Sequence, residues 1–173
     1  MSRIVVLTGE RGAGKSTVCR RTAALAGKRG YRCAGVVTLS LDGARDVLDV
    51  ASGRRRRLTQ TSREGPTVTQ GRFRFDPQTL KWGREILSRA TPCDLLVVDE
   101  IGPLEVERGR GWAIGLDIAR DGDYALALLV VRPELALAVS RKLASCPLAL
   151  VRVTEENRDQ MPVKLVETIG RKA

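Results

Sequence analysis

A short apolar run, Ile4-Val5-Val6-Leu7-Thr8, ends directly on Gly9-Glu10-Arg11-Gly12-Ala13-Gly14-Lys15-Ser16. No other stretch of the chain constrains its fold so tightly. The glycine-rich segment fits the pattern G-x-x-x-x-G-K-[ST], the phosphate-binding loop, which follows a strand and opens a helix. Its glycines let backbone N–H groups turn inward as a nest for an anion, where side chains would obstruct it. Lys15 is placed to reach the β- and γ-phosphates as a point charge, and the Ser16 hydroxyl to ligate Mg²⁺. A helix carrying Val18, Leu25 and Ala26 towards the core is predicted next, its N-terminal dipole aimed at the same anion. Gly9, Glu10, Arg11, Gly12, Ala13, Gly14, Lys15, Ser16 and Thr17 are therefore candidate nucleotide-binding residues. A dinucleotide fingerprint beginning at Gly12-x-Gly14 fails, because Thr17 stands at its third glycine position.

A second element complements the first. Val97-Val98-Asp99-Glu100 is an apolar strand that delivers two acids at its end. Beside a phosphate loop, Asp99 can hold Mg²⁺ and the Glu100 carboxylate can orient or deprotonate an attacking water. Strands often end in acids, so the pattern gains its meaning from the loop upstream. Lys15 and Glu100 are the candidate catalytic residues, Ser16 and Asp99 the candidate metal ligands.

Strand and helix signals alternate through the remainder. Strands are predicted at Cys33 to Leu39, Leu95 to Val98, Tyr124 to Val131 and Leu148 to Val153. Helices are predicted from Pro77 to about Arg89, over Gly111 to Arg120, over Pro133 to Ala144, and in a closing segment to about Ile169. Asp76-Pro77 supplies a capping acid and a proline at the first helical position. Near-continuous apolar strands alternating with helices imply an α/β fold with a mostly parallel sheet, covered on both faces. Residues 41 to 75 break the rhythm, with turn signals at Asp42-Gly43 and Ser52-Gly53 and strand-like pieces at Asp46 to Val50 and Arg72 to Phe75. They are expected to form a β-hairpin insertion or lid.

Composition narrows the chemistry. The chain of 173 residues is expected to form one domain. It contains no histidine, which removes Ser-His and Cys-His nucleophile pairs and His-ligated zinc. Cys19, Cys33, Cys93 and Cys146 are widely spaced and read as small core residues. No apolar run reaches the roughly 18 residues of a membrane span, and the N-terminus enters a strand pattern without the apolar stretch and cleavage site of a signal peptide, so a cytoplasmic chain is expected; a monomer is expected as well. The net charge of +10, from twenty-four arginines and six lysines against twenty acids, suits an anionic partner. An aromatic content of 3% leaves single-stranded nucleic acid without its usual stacking platforms, so nucleic acid is possible but not favoured.

Taken together, these residues resemble the family of small nucleoside-triphosphatases typified by the human cancer-related enzyme. The resemblance spans nearly the whole chain. It takes in the phosphate loop, Gly35-Val36-Val37-Thr38, Val68 to Asp76 before a helix, Val98-Asp99-Glu100-Ile101-Gly102-Pro103-Leu104-Glu105, and Val153-Thr154-Glu155-Glu156-Asn157-Arg158-Asp159. It implies a P-loop NTPase fold of the RecA-like or AAA-like kind. It also implies Mg²⁺-dependent hydrolysis of ATP, GTP and other nucleoside triphosphates, with broad tolerance of the base. Two departures stand out: Pro103 replaces a basic residue, and Leu41-Asp42-Gly43-Ala44-Arg45-Asp46 lacks the family's Arg-x-Gly-Phe hairpin signature.

Two further groups bear on the site. Asn157 and Arg158 are candidate base contacts, Asn offering a donor and an acceptor and Arg a stacking plane, against the plainer expectation of a helix cap and a surface charge. Residues 51 to 75 hold seven arginines and one acid. One of Arg54 to Arg57, or Arg72, could stabilise transition-state charge over the triphosphate, against the plainer expectation of a solvated hairpin face. Arg108 and Arg110 form a weaker candidate set. Trp82 and Trp112 fit core packing. The alternatives to a hydrolase are a nucleoside or small-molecule kinase on the same scaffold, and a nucleotide-regulated module that binds RNA or protein.

Overall fold

The central strands are apolar on both faces because both faces are covered by helices. In the computed structural model, which describes residues 2–41, 43–60, 65–70 and 73–170, the elements run in this order. Strand β1 (Arg3–Thr8) leads to helix α1 (Lys15–Lys28), followed by β2 (Cys33–Leu41), β3 (Ala44–Asp49) and β4 (Arg55–Arg57). A small pair, β5 (Val68–Gln70) and β6 (Phe73–Phe75), precedes α2 (Pro77–Ser88) and β7 (Leu95–Ile101). Then come a single turn, α3 (Pro103–Val106), α4 (Ile114–Asp121), β8 (Leu126–Val131), α5 (Ala136–Lys142), β9 (Leu148–Arg152) and α6 (Met161–Glu167).

Seven strands form one sheet in the order β4-β3-β2-β7-β8-β1-β9. The pairs β2–β7, β7–β8, β8–β1 and β1–β9 are parallel, while β2–β3 and β3–β4 are antiparallel. Alternate residues feed two cores. Val5, Leu7, Leu95, Val97, Leu126 and Leu128 pack against α1 and α6. Ile4, Val6, Leu96, Val98, Ala127 and Leu129 pack on the other side with residues of α2, α4 and α5. The ends of β1, β7 and β8 thus meet along one edge of the sheet, where α/β proteins bind ligands.

The expected insertion resolves into two parts. The chain turns back after β2 and extends the main sheet through β3 and β4, with Leu41 opposite Ala44. A separate two-stranded sheet, β5 with β6, sits between that extension and α2. Asp42, Gly71 and Arg72, which entered the sequence-based expectations, lie outside the described residues. Helix α4 starts at Ile114, later than the predicted Gly111, because Gly111 to Ala113 are in turns. Pro133–Leu135 forms a 3₁₀ turn that leads into α5. Asp76 caps α2 as expected, its carboxylate accepting from the N–H groups of Gln78 and Thr79.

Cys19 and Cys93 are buried and Cys33 and Cys146 half-buried, all four as free thiols. Trp82 and Trp112 are buried, as packing residues should be. No helix among the described residues is long and apolar enough to cross a membrane.

The core predicts its own sensitivity. Leu129 is fully buried on the central strand β8, whereas Leu150 on edge strand β9 keeps 54% of its surface exposed. Leu129→Ala should lower unfolding free energy by about 2–5 kcal/mol in urea titration, and Leu150→Ala by no more than about 0.5 kcal/mol.

Candidate active site

The phosphate loop spans the gap between β1 and α1. Gly9 has φ 139°, and a Cβ there would stand 2.4 Å from the Val153 carbonyl oxygen, so the chain leaves β1 at a point where only glycine fits. Gly14 has φ 100° and forms the N-cap of α1, in a backbone conformation that L-residues avoid. The Lys15 ammonium folds back and donates to the carbonyls of Gly9 and Glu10, each at 2.7 Å. Partial burial lowers its pKa from the usual lysine value, while Asp99, Glu100 and Glu10 act in the opposite direction. Lys15 is therefore held at the loop by neighbours that an incoming phosphate can replace.

Asp99 has no exposed surface. Its carboxylate accepts from the Thr38 N–H at 3.0 Å and the Glu100 N–H at 2.9 Å. Burial, and then the adjacent Glu100 carboxylate, push its pKa up to about 7, against hydrogen bonds from the Ser16 hydroxyl and from those two backbone groups. Ser16 and Asp99, separated by more than eighty residues of chain, thus lie side by side. The Thr38 hydroxyl, buried next to the amide that holds Asp99, has no hydrogen-bond partner among the described residues.

Glu100 departs from the strand in a way that explains its position. It is the one described non-glycine residue with positive φ, at 69°. The β7–β8 register shifts between Val98 and Ile101. In an unbroken pleat Glu100 would follow Leu96 and Val98 into the apolar face; instead Ile101 takes that place in the core. The bulge turns the carboxylate out, as bulges near active sites do. There Glu100 Oε2 accepts from Arg45 Nη1 at 2.9 Å, with side chains 30% and 12% exposed respectively. The Arg45 guanidinium lies over the Phe73 ring, 4.1 Å from its centroid.

The turn after β7 is held by Glu105. Its buried carboxylate accepts from the Gly102 N–H at 2.9 Å and the Trp112 N–H at 3.3 Å, tying that turn to the segment before α4. Burial raises the Glu105 pKa. The second glutamate of the Asp-Glu-Ile-Gly-Pro-Leu-Glu stretch is thus a fastener for the first.

These walls enclose a cavity of about 870 Å³. Gly9, Glu10, Arg11 and Lys15 contribute from the loop, Glu100 and Leu104 from the end of β7 and α3, Arg132 from the end of β8, and Arg45 and Phe73 from the hairpins. Arg108, a weaker candidate in the sequence, also lines it.

Arg54 to Arg57 do not. They lie on or beside β4, five strand spacings from β1, or roughly 24 Å. Arg57 pairs with Asp46 and Arg56 lies over the Trp82 ring. Arg72 is outside the described residues. Among the described residues the arginine paired with Glu100 is Arg45, which no motif marked, because the pair forms across β2, between β3 and the end of β7.

At the other end of the loop, the aliphatic part of Arg158 packs on Gly14, where an added Cβ would approach its Cδ to 3.0 Å. Asn157 has both ends of its amide engaged: Nδ2 donates to the Arg152 carbonyl and Oδ1 accepts from the Thr154 N–H, each at 2.9 Å. It shapes the loop that presents Arg158.

A mostly parallel sheet with a phosphate loop after its first strand and an acidic bulge at the end of β7, one strand removed from it across β8, defines a P-loop nucleotide-binding protein. A family model described as NTPase matches residues 4–166. The nucleoside-triphosphatase THEP1 of Methanosarcina acetivorans is 31% identical over 187 aligned positions, covering 99% of both chains. That of Methanosarcina barkeri is 30% identical over 172, covering 95% of both. The chain belongs to this NTPase family. Two solved structures share its fold. The solution structure of a human cancer-related nucleoside triphosphatase superposes with TM-score 0.75 at 22% identity, covering 99% of this chain and 100% of that one. The crystal structure of THEP1 from Aquifex aeolicus superposes with TM-score 0.72 at 20% identity, covering 97% and 99%.

The geometry predicts that Gly9→Ala cannot keep the loop. Its Cβ would overlap the Val153 carbonyl, so nucleotide binding measured by calorimetry should be lost and the melting temperature should fall.

Proposed function

We propose that this chain is a Mg²⁺-dependent nucleoside-triphosphatase, cleaving ATP, GTP and other nucleoside triphosphates to the diphosphate and inorganic phosphate. The observation that carries this reading is that Lys15 and Glu100 line one cavity, with Ser16 and the buried Asp99 paired beside it.

The residues suit a magnesium ion. Ser16 and Asp99 are hard oxygen donors, and the unpartnered Thr38 hydroxyl beside them can accept a hydrogen bond from a metal-bound water. Among the described residues no group of three or more His, Cys, Asp or Glu side chains could hold a metal. That agrees with a cation that takes its other ligands from phosphates and water. When bound, Mg²⁺ would neutralise charge on the β- and γ-phosphates.

The chain's own groups account for the rest. Backbone N–H groups of Gly12 to Ser16 and the N-terminus of α1 cradle the phosphates. Lys15 exchanges its two carbonyl partners for phosphate oxygens. Glu100 orients a water and accepts its proton as the water oxygen bonds to the γ-phosphorus. The bond to the β–γ bridging oxygen breaks, and its electron pair leaves with the diphosphate.

Broad tolerance of the base follows from Asn157 and Arg158. Asn157 directs one donor and one acceptor of its amide to the backbone and so positions Arg158, whose plane can stack on any base. The chain is proposed to act as a monomer. Four free thiols suit a reducing cytoplasm. Neither kinase nor binding module is favoured by the relatives, whose names state a triphosphatase.

Phosphate release from ATP, GTP, CTP and UTP with Mg²⁺ and no acceptor tests the reading. Comparable turnover on several bases is expected. Lys15→Ala should lose nucleotide affinity and turnover together. Glu100→Gln should keep affinity and lose about 10²–10⁴-fold in turnover; near-normal turnover in that variant would remove Glu100 from the chemistry.

A further inference from the structure

Arg45 is mounted unlike a surface arginine. Its backbone is pinned at three points: its N–H donates to Thr59 Oγ1 at 2.9 Å, and its carbonyl accepts from the Leu58 and Thr59 N–H groups at 2.8 and 3.2 Å. Its side chain is 12% exposed. The guanidinium lies over the Phe73 ring, 4.1 Å from its centroid. Of its five N–H donors, one is committed to Glu100 Oε2. The group lines the same cavity as Lys15 and the start of the phosphate loop.

The other arginines of the cavity differ. Arg11, Arg108 and Arg132 are exposed, and no carboxylate among the described residues pairs with them. Among the described residues Arg45 alone is both shielded from water and fixed against the residue that handles the attacking water. A shielded cation of planar, forked geometry acts more strongly on phosphate oxygens than a solvated one.

We propose that Arg45 is the arginine that acts on the transferred phosphoryl group. With nucleotide bound, its guanidinium bridges the Glu100 carboxylate and a terminal phosphoryl oxygen. This rests on the triphosphatase reading above and deepens it. Two consequences follow. Positive charge stands where the transition state gathers negative charge, supplied from within the same chain. The same guanidinium also ties the water-orienting carboxylate to the phosphate, so Glu100 is aligned with the phosphorus only when a third phosphate is present. A diphosphate leaves Arg45 on Glu100 alone. The Glu100 charge, which would otherwise repel the triphosphate, is neutralised in both states.

The test compares wild type, Arg45→Ala, Arg45→Lys and, as a control on the edge strand, Arg55→Ala. Turnover and KM for ATP are measured with Mg²⁺, and calorimetry follows binding of ADP with and without aluminium fluoride, which mimics the transferring phosphoryl group. Arg45→Ala should lose about 10³-fold or more in turnover, with KM within a few-fold of wild type. Its ADP affinity should hold while its ADP–aluminium fluoride affinity falls, and millimolar guanidinium ion should restore part of the lost turnover. Arg45→Lys, which keeps the charge but not the fork, should be intermediate and covers the case in which the alanine variant folds poorly. Arg55→Ala should match wild type. Arg45→Ala turnover within tenfold of wild type, or equal losses of affinity for ADP with and without aluminium fluoride, would overturn the proposal. A wild-type chain that releases no phosphate sinks the triphosphatase reading and this one together; an active wild type matched by Arg45→Ala sinks this one alone.

Discussion

The carboxylate of Asp99 joins three elements at the centre of the molecule. It sits on β7, accepts the amide of Thr38 on β2, and is hydrogen-bonded by the hydroxyl of Ser16 at the start of α1. Burying a carboxylate without compensation is costly, and its raised pKa records how incompletely these partners offset the loss of water. A cation at this point would relieve that cost, and the phosphate loop two strand positions away, across β8, would hold the phosphates that supply its remaining ligands. The arrangement of β1, β2, β7 and α1 is in this sense organised around one desolvated charge.

The bulge next to Asp99 separates two jobs that adjacent residues in a regular strand would perform on opposite faces. Asp99 stays in the pleat and faces Ser16. Glu100, in left-handed backbone, turns into the cavity instead of the apolar core, and Ile101 fills the core position it vacates. Non-glycine residues in that region cost about 1–3 kcal/mol each and persist where surrounding structure overdetermines them. Here the overdetermination is visible. The Glu100 N–H is held by Asp99, its carboxylate by Arg45, and the turn that follows by Glu105.

Much of the site was legible in the chain because its pieces are local. The phosphate loop needs only neighbouring residues, since a strand, glycines at set intervals and a helix start determine where the N–H groups point. Asp99 and Glu100 were legible as the end of an apolar run, and Asp76-Pro77 as a helix start. The Arg45–Glu100 pair was not, because it forms across β2 between β3 and β7, and nothing near Arg45 in the chain signals that. Arg54 to Arg57 drew attention by number, yet strand pairing carries them to the far edge of the sheet. Asn157 shows the same limit. Its residue type suits a base contact or a loop brace, and only the structure shows that it braces the loop of Arg152 and Thr154 through two hydrogen bonds.

By itself the sequence determined the alternating α/β pattern, the phosphate loop with Lys15 and Ser16, and the acidic strand end, because these depend on contacts within a few residues. Only the tertiary structure decided the order β4-β3-β2-β7-β8-β1-β9, the bulge that turns Glu100 out of the core, and the ion pair that brings Arg45 to Glu100. Those depend on which strands become neighbours. That is settled by burial of both sheet faces at once, a condition no single segment can satisfy.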